Sequence, residues 1–141
     1  MPAGDQIRYR AGYKYHLKAD YRVQLRFIRP THDIESEFIT LTHDGWLTIW
    51  HGYAWDGPSG PTIDTKSGMR GSLVHDALYQ LMRDGWLSRD EFRQKADREF
   101  YVILLEDKMN LARATAWFAG VRLGAEGSAK ASGERPLLIA P

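Results

Sequence analysis

The chain has 141 residues, 43% of them hydrophobic and 12% aromatic, which fits one ordinary domain with a real core and excludes disorder throughout. Lys and Arg number 19 against 18 Asp and Glu, a formal net charge of +1, so no general field draws in nucleic acid or an anionic membrane. The absence of cysteine excludes disulfides and thiolate metal sites. No apolar run approaches the roughly 18 residues of a spanning helix. The first residues show no signal-peptide pattern, so synthesis and residence in the cytoplasm are the expectation.

In chain order, Met1 to Arg10 is polar and reads as loose or as a short edge segment. Tyr13 to His16 and Tyr21 to Ile28 read as strands, the second because Tyr21, Val23, Leu25 and Phe27 alternate with Arg22, Gln24 and Arg26. Pro30 ends it, and Thr31 to Glu35 reads as a polar connection. Phe38, Thr40 and Thr42 alternate with Ile39 and Leu41, then His43-Asp44-Gly45 turns the chain back along Trp46 to Trp50. A loop with three Gly/Pro interruptions follows, from about Gly52, and ends everything strand-like.

Three helices come next. Met69, Leu73, Val74, Ala77, Leu78, Leu81 and Met82 give an apolar side from about Ser67 to Arg83, stopped by Asp84-Gly85. Ser88 and Glu91 form a capping box that opens a second helix to about Asp107. Asn110 caps a third, to about Leu123, with Leu111, Ala114, Phe118 and Val121 as its stripe. Ala112, Ala116 and Gly120 make a second, small-residue side suited to close helix contact. The sequence therefore predicts an α+β domain over residues 1–124, an N-terminal antiparallel sheet of β-hairpins packed on three C-terminal helices. Residues 125–141 are expected to be a flexible C-terminal tail, because AEGSAKASGE is a linker composition and the apolar end from Pro136 has no visible partner.

The chemistry gathers where strands give way to helices. His75 and Tyr79 lie one turn apart at the border of the apolar side of the first helix, and Asp76 points away from it. Asp97 sits at the edge of the second helix's stripe, so antiparallel packing would bring it to face His75. A carboxylate on one ring nitrogen fixes the tautomer and leaves the other nitrogen as a base. The competing structural reading has His75 bonded to backbone and Asp97 paired with Arg93 at i−4. The loop adds Asp56, Ser59 and Asp64, held between stiff prolines and permissive glycines. These serve equally as turn residues, through Asx and serine turns.

Asp56-Gly57-Pro58-Ser59-Gly60-Pro61, Val74-His75-Asp76-Ala77-Leu78-Tyr79, Ala96-Asp97 and Val121-Arg122-Leu123-Gly124 together resemble a phage- and prophage-encoded domain family of unknown function. The likeness covers roughly Trp46 to Gly124. It departs at Trp55, where that family usually has Thr, and in a longer stretch from Thr62 to Gly71. It implies a phage or prophage origin, with the host cytoplasm as the place of synthesis and association with the virion as a further expectation. It brings no established activity.

His-Asp-x-x-Tyr on one helix with an Asp on the next also looks like the dyad of secreted calcium-dependent phospholipases. That likeness implies His75 as the base, Asp97 as its orienter, Asp76 as a ligand of a divalent cation such as Ca²⁺, and Gly57 to Gly60 as the cation-binding loop. Those enzymes are built on disulfides, and this chain has no cysteine. Three functions stay open. The first is a hydrolase using His75, Asp97 and Tyr79 with water or Ser59 as nucleophile, and with a metal on Asp56, Asp64 or Asp76. The second is an assembly component in which the same residues are a polar lock. The third is a binder of a host protein or another phage protein through Trp46, Trp50, Tyr53 and Trp55.

Overall fold

A computed structural model of the protein describes residues 7–10, 15–55, 66–124 and 137–140. Within them the order is β1 (Ile7–Arg10), β2 (Tyr15–His16), β3 (Tyr21–Gln24), β4 (Ile34–Glu35), β5 (Ile39–Leu41), β6 (Trp46–Ile49), β7 (Ala54–Trp55), α1 (Lys66–Arg83), α2 (Arg89–Glu106), α3 (Leu111–Gly124) and β8 (Leu137–Ala140). All strand pairing is antiparallel, and the three helices follow, so the α+β arrangement read from the sequence is the observed one.

The central sheet has the order β3-β6-β5-β4. Its β5–β6 hairpin turns at Gly45, whose φ of +90° suits glycine, and pairs Leu41 with Leu47 and Ile39 with Ile49. Those four side chains are fully buried, so the period-2 alternation does put one face on the core. The neighbouring turns are tied by carboxylates. Asp33 accepts from the His43 backbone N–H and ring, and Asp20 does the same for His51.

The strand expected to run from Tyr21 to Ile28 stops at Gln24. Beyond it the backbone N–H groups of Arg26 and Phe27 donate to the two carboxylate oxygens of Glu99 on α2, at 3.1 and 2.7 Å, instead of to a neighbouring strand. A helix carboxylate thus takes over the chain and turns Leu25 and Ile28 into the core. The polar connection after Pro30 holds a short edge strand, β4, that alternation over two residues could not reveal.

α1 ends as expected. Gly85 has φ +85°, Trp86 N–H donates to Leu81 and Gly85 N–H to Met82, the paired bonds of a Schellman stop. Ser88 Oγ accepts from Glu91 N–H and opens α2, and Asn110 Oδ1 accepts from Arg113 N–H at the start of α3. α1 and α2 run antiparallel and close together, because Gly71 has no side chain. A Cβ there would stand 3.0 Å from Leu104 Cδ2. The contact expected of Ala112, Ala116 and Gly120 is absent, since that side of α3 is exposed, as is Leu111. Ala114 and Trp117 are buried in a cluster with Phe100, Leu104 and Met109, and Val121 packs against both that cluster and the main core.

The apolar end expected to have no partner supplies β8, hydrogen-bonded along β1 with Ile7 opposite Ala140. Two short edge strands satisfy each other's backbone there. Residues 125–136, the remainder of the expected flexible tail, lie outside the described residues. Among the described residues, no helix is long and apolar enough to cross a membrane.

Candidate functional site

Asp97 is fully buried and accepts from three side chains on two helices, α1 and α3. His75 Nε2 stands 2.8 Å from Oδ1, the Tyr79 hydroxyl donates to the same oxygen at 2.6 Å, and Arg122 Nη1 donates to Oδ2 at 2.7 Å. The antiparallel register of α1 and α2 brings His75 and Tyr79, one turn apart, to the same carboxylate oxygen. Arg122 comes from the end of α3. Arg93, the alternative i−4 partner, does not bond Asp97, and its Nη1 finds no partner among the described residues.

Charge is balanced accordingly. Burial pushes the Asp97 carboxyl up, but the bonds from His75, Tyr79 and Arg122 outweigh it and hold the group below its ordinary range. Burial alone would lower the His75 imidazole, yet the carboxylates of Asp76 and Asp97 bring it above its ordinary value. Burial first, and then the bond to Asp97, push the Tyr79 phenol far up, so it stays a protonated donor. Tyr79 therefore helps hold Asp97 in place.

With Nε2 committed to Asp97, the second ring nitrogen of neutral His75 carries the lone pair. Nδ1 has no hydrogen bond among the described residues; Asp76 Oδ1 lies 3.9 Å away, beyond ordinary hydrogen-bond reach. The ring makes tilted contacts with Tyr79, at 4.2 Å between centroids, and with Phe100, at 5.0 Å. Asp76 is partly exposed, on the other side from Asp97.

The loop residues Asp56, Ser59 and Asp64 lie outside the described residues, as does the expected loop wall at the free nitrogen. The described ends of that loop are informative. Trp55 donates its indole N–H to Ser72 Oγ at 3.1 Å, in the turn of α1 just before His75, and α1 begins at Lys66. Both ends are therefore anchored at the N-terminal half of the helix that carries His75. The Trp55 indole thereby ties the end of β7 to α1.

Among the described residues no group of three His, Asp or Glu side chains can hold a metal ion. Asp76 offers one carboxylate, which falls short of the six to eight oxygens of a calcium site. Asp56 and Asp64, the other expected ligands, lie outside the described residues. Sequence reasoning missed two residues. Arg122 was visible only inside a motif, without a role. Glu99 faces backbone N–H groups and lines a separate cleft of about 420 Å³ with Arg26, Arg29 and Ile103. The aromatic anchors expected for a protein partner also divide: Tyr53 and Trp55 are buried in the core, while Trp50 is exposed and Trp46 is covered by Arg22 at 4.0 Å. No protein-family model, no curated protein and no solved structure matches the chain.

Proposed function

We propose that the protein is a phage- or prophage-encoded accessory hydrolase of esters or amides in which His75 activates water. The observation that carries this reading is the one-sided tethering of His75: Nε2 is held by a fully buried carboxylate, and Nδ1 is left without a hydrogen-bond partner among the described residues. Nδ1 takes a proton from water as its oxygen bonds to the substrate carbonyl carbon. Collapse of the tetrahedral intermediate breaks the ester or amide bond, and the protonated imidazole returns the proton to the leaving oxygen or nitrogen. Asp97 holds the tautomer and stabilises the imidazolium that forms, while Tyr79 and Arg122 hold Asp97. The phage setting rests on the motif resemblance, and the genes flanking this one in its source genome test it.

A second reading has its own support. A carboxylate with no exposure and three charged or polar donors is also what a polar lock between α1, α2 and α3 requires. One experiment separates the two. The protein and His75→Ala are assayed against a panel of chromogenic esters and anilides, and both are melted. The hydrolase reading expects turnover that His75→Ala abolishes, with Asp97→Asn also weakened through the tautomer. A His75→Ala protein that melts well below the parent, from a parent that cleaves nothing, favours the lock.

A further inference from the structure

Three buried side-chain nitrogens find no partner among the described residues: Arg93 Nη1, Arg113 Nε and Trp117 Nε1. Two of them belong together. Arg113 and Trp117 are one helical turn apart on α3, and the guanidinium carbon lies 5.3 Å from the centre of the indole ring. Trp117 is 5% exposed, in a cluster with Phe100, Leu104, Met109 and Ala114. Arg113 is partly exposed, so the pair meets solvent at its charged end.

We propose that Arg113 and Trp117 form an oxyanion-binding subsite, taking a carboxylate or phosphate oxygen between the guanidinium Nε–H and the indole N–H. Both groups are donors with no acceptor capacity, so they cannot satisfy each other. A buried N–H without an acceptor is rare in a folded protein and asks for a ligand that only accepts. An ionised carboxylate or phosphate is such a ligand. The charge argues the same way: Leu111–Gly124 contains no acidic residue, and its two cations are Arg113 and Arg122. Arg122 is neutralised by Asp97, and no carboxylate pairs with Arg113 among the described residues. The cation–π contact keeps the guanidinium beside the indole, so the two unpaired N–H groups lie on neighbouring side chains.

Phe100 shares a buried cluster with Trp117 and its ring lies 5.0 Å from that of His75, so the subsite and His75 are distinct places in the fold. It stands whether or not His75 catalyses anything. Its test uses the five tryptophans, whose indole N–H groups give separate signals in a nitrogen–proton correlation spectrum of the labelled protein. Inorganic phosphate and acetate are titrated separately, at ionic strength held constant with sodium chloride. The Trp117 indole is assigned by its loss in Trp117→Phe or, if that variant does not fold, by through-bond assignment of the parent. The expected result is a saturable shift of the Trp117 signal with one of the two anions, which also decides between a phosphate and a carboxylate ligand. Arg113→Gln should weaken the apparent affinity about tenfold or more, as loss of a charge-assisted bond does. A Trp117 signal unmoved by both anions overturns the proposal, as does an affinity unchanged in Arg113→Gln.

Discussion

At the scale of single residues, Asp97 sets the charge balance of the helical layer. Asp97→Ala would leave His75, Tyr79 and Arg122 without their acceptor, and should cost about 3–5 kcal/mol in urea unfolding. The pH dependence follows from the directions of the shifts. His75 titrates above its ordinary value when folded, so its contribution is complete below about pH 6.5 and is lost as pH rises through the folded value. Asp97 titrates below its ordinary range, so its contribution is complete above about pH 4 and is lost as pH falls through the folded value. Melting temperature should therefore peak between these limits, and His75→Gln should flatten the alkaline limb while sparing the acid one. The facing of His75 and Asp97 was legible because both sit at the edges of apolar stripes whose packing is forced. Glu99 was not legible, because its partners are the N–H groups of Arg26 and Phe27, and backbone leaves no trace in residue identity. Glu99→Gln would turn one acceptor into a donor facing an N–H, and should cost about 1–3 kcal/mol by the same measurement.

At the scale of elements, two glycines make opposite predictions. Gly85 holds φ +85° with nothing within 4 Å of the place a methyl would take, so Gly85→Ala should destabilise by about 1–2 kcal/mol through conformation alone. Gly120 lies inside α3 on an open face, where Gly120→Ala should stabilise by about 0.5–1 kcal/mol. Calorimetry of the two variants checks both signs. Helix stops, caps and the Gly45 hairpin were readable because each rests on a local rule with a residue to carry it. The end of β3 and the short β4 were not, because long-range bonds to α2 and to β5 decide them. The outer side of α3 misled in an instructive way: small residues permit a close approach but do not compel one, and the approach occurs at Gly71 instead.

For the whole molecule, the division into a strand-rich first half and a helical second half was plain from the change of hydrophobic period, and the described structure keeps it. The pairing of β1 with β8 was not foreseeable, since four-residue strands at distant positions carry no mutual code. A two-stranded ribbon is marginal by itself. A chain ended after Gly124 should thus keep its melting temperature to within about 1 kcal/mol of stability, whereas one ended after Val121 should lose several, having lost Arg122. Guanidinium unfolding of the two truncations makes the comparison. That contrast carries a consequence for how the chain is made. Synthesis delivers His75 and Tyr79 first, Asp97 next and Arg122 last of the four. Until that arginine emerges, the carboxylate lacks its only cationic side-chain donor of fixed charge, and water must solvate it. A chain interrupted before Arg122 should therefore leave the buried carboxylate short of a donor and be cut faster than the parent in limited proteolysis.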